Sequence, residues 1–140
     1  MAYWLVKSEP GTWSWEQQVE AGAKGTAWTG VRNHTAKLNL MKMKKGDRAF
    51  FYHSGDGKEI VGVAEVTREP FPDPTDETRK FVAVDLKAVA PVPQPVSLAA
   101  IKGEPRLADM ALLKQSRLSV QPVTAAEWKL ICAMGGLKGA

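Results

Sequence analysis

The side chains best able to do chemistry crowd into one window, Thr26 to Ser54. Trp28 stands beside Gly30. Arg32, Lys37, Lys42, Lys44, Lys45 and Arg48 are answered there by a single acid, Asp47, and the window closes on the aromatic run Ala49-Phe50-Phe51-Tyr52-His53-Ser54. Cations meet a phosphate backbone and aromatic faces stack on flat rings, so the mixture suits a partner carrying both. A solvated helix face beside a core strand would have much the same composition. Trp28, Tyr52 and Trp13 can supply rings, while Asn33, Ser8, Ser54 and Ser119 can read the polar edge of a base. Gly30 lets the backbone approach a ligand. Arg32, Lys7 and Arg117 can meet phosphate, with Lys37, Lys42, Lys44 and Lys45 continuing a basic track.

Covalent chemistry fits these residues less well. The two histidines, His34 and His53, lack the His-x-Glu and Cys-x-x-Cys spacings of a zinc deaminase. Ser8 with Glu9, or His53 with Ser54, would be a hydrolytic pair only if strand neighbours shared a face, which they do not. Neither serine sits in a Gly-x-Ser-x-Gly elbow. Gly55 and Gly57 belong to a hairpin, and no Gly-Lys-Ser/Thr follows them. Cys132, the lone cysteine, lies in the apolar run Trp128 to Cys132 and suits a buried thiol better than a nucleophile. The expectation is a binding protein that is not an enzyme and uses no metal or cofactor.

Positioning these groups takes one domain, expected to span residues 1–140. The chain is 44% hydrophobic and 24% charged, ordinary globular values that leave enough apolar residues for a core without disulfide or metal. A net charge of +4 and a pI near 9.3 lean towards polyanions without requiring them. No apolar run approaches the roughly 20 residues of a membrane span. The start, Met1-Ala2-Tyr3-Trp4, has no signal-peptide pattern. These features predict a monomer without a membrane partner, intracellular, and cytoplasmic if the source is bacterial.

Tyr3 to Lys7 is an aromatic, β-rich strand stopped by Ser8-Glu9-Pro10-Gly11. Ser14 and Gln17 form a capping box for a helix from Trp15 to about Ala21, and Trp13 and Trp15 straddle that cap as a packing staple or as ligand contacts. The segment around Trp28 is a loop. Asn33 caps a helix to Met41 or Met43, with Leu38 and Met41 together on one face. Lys44 to Asp47 turns into the strand Arg48 to His53, where Ala49, Phe51 and His53 face one way and Phe50, Tyr52 and Ser54 the other. Asp56-Gly57 marks a hairpin into the strand Ile60 to Thr67, in which Gly62 signals a bulge or a close approach. Phe71 to Lys80 is expected to be an exposed loop. Phe81 to Val89 alternates as a strand, and Pro91, Pro93 and Pro95 form an extended connector. Helical turns follow at Ser97 to Ile101 and Met110 to Gln115, then a strand at Leu118 to Val120, and a helix capped by Thr124 and Glu127 to Met134. Five or six short strands with small helices close most simply as a barrel, which leaves no exposed edges.

Several segments, in order along the chain, resemble the EVE domain family. They are Tyr3 to Pro10, Trp28-Thr29-Gly30-Val31-Arg32-Asn33, Lys45-Gly46-Asp47, Phe51 to Ser54, Ile60 to Val66, the Pro-Asp-Pro at 72–74 and Ser116 to Pro122. The resemblance runs from Tyr3 to Gly136. It implies an α+β, PUA-like fold: a mostly antiparallel β-barrel flanked by short helices, close to the YTH readers of methylated adenine. It further implies a non-enzymatic reader of a modified base in DNA or RNA, flipped into an aromatic-lined pocket. Carried over by motif, the pocket comprises Ser8, Trp28 to Asn33 (with Val31), Tyr52, His53, Ser54, and Arg117, Leu118 and Ser119. Thr29 stands where the family often has an acid and His34 where it commonly has an aromatic, so base preference is the least transferable property. The alternative is a pocket for a free modified nucleoside or purine-like small molecule.

Overall fold

Side-chain caps start three of the helices where local sequence signals place them. The computed structural model describes residues 1–55 and 57–138; Asp56 of the expected hairpin turn lies outside the described residues. Its elements are β1 (Tyr3–Ser8), α1 (Trp15–Glu20), β2 (Thr26–Ala27), α2 (His34–Lys42), β3 (Arg48–His53), β4 (Glu59–Pro72), β5 (Val82–Ser97), α3 (Leu98–Lys102), α4 (Ala111–Lys114), β6 (Val120–Val123) and α5 (Ala125–Met134). A single 3-10 turn, Pro105–Leu107, separates α3 from α4. Ser14 with Gln17 and Thr124 with Glu127 form the two expected capping boxes, and the Asn33 side chain accepts from Ala36 N at the start of α2.

The strands form one six-stranded sheet in the order β2-β5-β4-β3-β1-β6, and it does not close into a barrel. β1 runs parallel to β3, while every other neighbouring pair is antiparallel. The edges are blunted locally instead: β2 has two residues, and β6 has four including Pro122, which has no N–H to offer a further strand. β2 occupies part of the segment expected to be a loop. β6 begins at Val120 and runs through Pro122 rather than ending before it. β4 continues past Thr67 to Pro72, and the proline-rich stretch is the second half of β5, with Pro91 opposite Gly62 and Val96 opposite Ile60.

Helices cover both faces of the sheet, so its central strands are buried on both sides. Ala49 and Phe51 of β3 pack under α1 and α2 with Trp4, Val6, Trp15 and Trp28. Phe50 and Tyr52 pack on the opposite face with Leu5, Val63, Trp128 and Ile131. Fully burying side chains such as Phe50 and Phe51 contributes roughly 1.5–3 kcal/mol each. Trp128 of α5 stacks on Phe50 at 3.9 Å and on Tyr3 at 4.5 Å. Cys132 is buried there, which raises its thiol pKa. α2 turns Ala36, Leu40 and Met43 inward, so the paired Leu38 and Met41 face solvent. The i, i+4, i+7 stripe at 36, 40 and 43 prevails because it carries the fully buried contacts. No helix among the described residues is long and apolar enough to cross a membrane.

Candidate binding site

β1 carries the site at its C-terminal end. Ser8 lies opposite His53 of β3, its carbonyl accepts from Ser54 N at 2.9 Å, and Lys7 N donates to Ser119 O at 2.9 Å. Serines from the ends of three adjacent strand paths are thereby drawn to one edge. Facing them is the chain from Thr26 to Asn33, tied to β5 by the bond from Trp28 N to Val84 O at 2.7 Å. Between the two lies a cavity of about 680 Å³, within the range of small-molecule sites. Its walls bring together Lys7, Ser8, Trp13, Trp28, Gly30, Val31, Arg32, Asn33, Ser54 and Ser119, joined by Glu9, Thr12, Thr26, Ala27 and Thr29.

The two tryptophans in this wall are held differently. Trp13 is half-buried, and its Nε1 donates to Gln18 Oε1 at 2.9 Å. Gln18, fully buried on α1, passes its own amide N–H to Leu86 O at 2.9 Å. Ser8 Oγ donates to Trp13 O at 2.6 Å. The ring and its backbone are therefore fixed before any ligand arrives. Trp28 is only 8% exposed and meets Phe51 edge-on at 5.5 Å, so it is both cavity wall and core. Val31 is likewise mainly core.

One buried acid shapes the opposite rim. Asp73, expected in an exposed loop, is 2% exposed and accepts from Gly30 N, Arg32 Nη1 and both the backbone and hydroxyl of Thr75. Burial alone would raise its pKa, but the hydrogen bonds from Thr75, Gly30 and Arg32 outweigh that and leave it lowered. Gly30 adopts φ +83°, a left-handed conformation that a side chain would strain, and this turns its N–H towards Asp73. Arg32 also donates to Thr75 Oγ1 at 3.0 Å and lies over the Phe81 ring at 5.5 Å. His34 and Lys37 flank the same ring. Asp76 is the second organiser of this segment. Hydrogen bonds, chiefly from the Thr78 hydroxyl, lower its carboxyl to about 2.

Several expected members stand elsewhere. Tyr52 is 4% exposed on the far face of β3, among Leu5, Phe50 and Ile60, so it cannot be the second wall beside Trp28. Burial there raises its phenol pKa. His53 does not line the cavity: its Nε2 accepts from Trp15 N at 3.0 Å at the start of α1. Arg117 and Leu118 line a separate cleft, which shares only Asn33 with the cavity. Asn33, which lines the cavity, spends its amide oxygen on capping α2, so its N–H₂ is the part of the amide left to donate to a ligand. Lys7, half-buried, donates Nζ to Ser116 O at 2.6 Å, and burial lowers its pKa. Lys42, Lys44 and Lys45 are exposed around the far end of α2. Among the residues missed in sequence, Gln18 and Asp73 organise the site from behind its wall. A polar residue on the buried face of α1 was the one signal for the first, and the Asp-x-Thr turn pattern for the second. Among the described residues, no three His, Cys, Asp or Glu side chains gather as a metal-ligand set.

An open mixed sheet clad by helices on both faces, with a polar and aromatic cavity at the end of its first strand, defines an α+β domain. The YTH domain of the Zygosaccharomyces rouxii MRB1 protein, solved in complex with N6-methyladenosine RNA, shares the fold at a TM-score of 0.59 and 18% identity, over 99% of this chain and 87% of that one. The chain belongs to the EVE domain family, whose model matches residues 2–134. Rpa0253 from Rhodopseudomonas palustris, solved by NMR, is 70% identical with a TM-score of 0.92, covering 97% of this chain and 94% of its own. Human thymocyte nuclear protein 1 is 30% identical over 95% of this chain and 73% of its own length. The human THYN1 structure in complex with DNA containing 5-methylcytosine is 31% identical with a TM-score of 0.86, covering 99% of each chain.

Proposed function

We propose that this protein reads a modified base in nucleic acid, taking the base out of its stack into the cavity between Trp13, Trp28 and the serines at the end of β1, and that it does so without chemical turnover. One observation carries the reading: a 680 Å³ cavity with ring faces and hydroxyl edges, in a chain matched end to end by a human relative solved with 5-methylcytosine DNA. Extracting a base costs a few kcal/mol. Stacking returns about 1–3 kcal/mol per base, and a Trp13 ring already fixed by Gln18 adds no ordering cost of its own. Ser8, Ser54, Ser119 and the Asn33 amide N–H₂ offer donors and acceptors for the base edge.

The test is a titration of DNA and RNA oligonucleotides carrying 5-methylcytosine or N6-methyladenine, their unmodified counterparts, and the free modified nucleosides. One modified oligonucleotide should bind more tightly than its unmodified counterpart, and Trp13→Ala should weaken it by about 1–3 kcal/mol. Trp13 is the better probe because removing the largely buried Trp28 would also cost about 3–5 kcal/mol of core stability. Equal affinity for modified and unmodified chains would overturn the reading. A free nucleoside binding as tightly as the oligonucleotide would favour a pocket for a small nucleobase-like molecule.

A further inference from the structure

Beside the cavity, and separated from it by Asn33, lies a second cleft of about 350 Å³ between Asn33 and Thr35 on one side and residues Lys114 to Leu118 on the other. We propose that this cleft is a phosphate subsite, which holds the backbone of a nucleotide flanking the base being read. It rests on the base-reader reading and adds a second point of attachment to it.

The lining points to an anion rather than to another ring. It offers two cations, two hydroxyls and two amides, with no aromatic and no carboxylate. Among the described residues, Lys114 has one ion pair, with Asp109 at 3.7 Å, and both groups are largely in solvent. An exposed pair of this kind contributes little and yields readily to a phosphodiester. Arg117 is exposed and makes no ion pair among the described residues. Its guanidinium can therefore turn two parallel N–H donors on a phosphate.

The walls are also set in advance. Gln121, fully buried on β6, donates its amide to Leu118 O at 2.8 Å and Gln115 O at 3.2 Å, pinning both ends of the turn that carries Arg117. The buried Asn39 of α2 donates to Val120 O at 2.7 Å, which fastens the opposite wall to the same strand. Lys7, in the wall of the cavity, reaches across to Ser116 O at 2.6 Å. A chain entering the cavity thus meets a rigid cationic step next to it. Such a contact fixes the path of the backbone and adds affinity, but carries no information about the base.

The experiment titrates wild type, Arg117→Gln, and Lys114→Gln/Arg117→Gln with whichever 5-methylcytosine or N6-methyladenine oligonucleotide of that panel the wild type binds most tightly, and with its unmodified counterpart, across a range of salt. The double variant, folded by circular dichroism, should bind both several-fold more weakly. The preference between them should be unchanged, and the slope of log affinity against log salt should be shallower by about one for each phosphate no longer neutralised. Unchanged affinity and slope in the double variant would overturn the subsite while leaving the base cavity intact. An altered preference with an unchanged slope would also overturn it, since Arg117 would then be reading the base. A wild type that binds neither oligonucleotide would instead defeat the base-reader reading, and the subsite with it.

Discussion

At the scale of single residues, His53 shows how an atom suited to chemistry is taken up by structure. Its Nε2 accepts from Trp15 N, so the imidazole is neutral with its proton on Nδ1. Burial lowers its pKa below 6.5, against the opposing pull of Glu16 and Glu59. The unfolded chain therefore takes up this proton at higher pH than the folded one. The stability contribution is complete above the unfolded value of about 6.5 and is lost as pH falls through it towards the lower folded pKa. The urea midpoint of the wild type should drop between about pH 7.5 and pH 5.5, and that of His53→Gln should drop less. An equal drop in both proteins would remove His53 from the account. The misplacement of Tyr52 has a related cause. Alternation along β3 correctly puts Phe51 and Tyr52 on opposite faces, but both faces are apolar and buried. Nothing in that run says which face looks towards a cavity.

Elements were most legible where their signals are local. Ser14, Asn33 and Thr124 cap helices through bonds that close within three residues, and Gly62 meets both expectations placed on it. The register shifts beside it on the β3 and β5 sides alike, and a Cβ added there would sit 2.5 Å from the Trp15 ring. Gly62→Ala should consequently cost about 1–3 kcal/mol through overpacking. Pairing it with Trp15→Phe should give a coupling term in a double-mutant cycle rather than simple addition of the two losses. Strict additivity would mean that α1 shifts freely over the sheet. What stayed hidden depends on distant partners. The run from Phe71 to Lys80 looks exposed because its charges are plain in sequence, whereas the partners that bury Asp73 include Gly30 and Arg32, more than forty positions away. The prolines of β5 suggested a connector because only their pairing with β4 makes them a strand.

For the molecule as a whole, barrel closure was the natural solution to exposed edges, but the sheet stays open. Its parallel β1–β3 pair puts the last strand, β6, beside the first, and short or proline-bearing edges do the blunting. Local sequence cannot signal a parallel pair formed across the 39 residues between Ser8 and Arg48. The open architecture also sets the reach of the basic surface. α2 starts at the rim of the cavity, where Asn33 caps it, and Lys42, Lys44 and Lys45 sit at its other end. Nine helical residues at about 1.5 Å each span roughly 13 Å, the distance covered by about four phosphates along one strand of a duplex. Lys37, which leans on Phe81, is much nearer the rim. If the lysines at the far end touch backbone, they act only on chains long enough to reach them. Replacing Lys42, Lys44 and Lys45 together by Ala should leave binding of a trinucleotide centred on the modified base unchanged. The same variant should weaken an oligonucleotide extending at least about four nucleotides to either side, and flatten its salt slope by roughly 0.7–0.9 for each phosphate that the lysines had neutralised. The substitutions keep the backbone N–H groups that Lys44 and Lys45 give to Asp47 and Glu69, so the fold should survive them. Wild-type affinity for the long chain would assign these lysines to a solvated helix end and confine recognition to the cavity and its immediate rim.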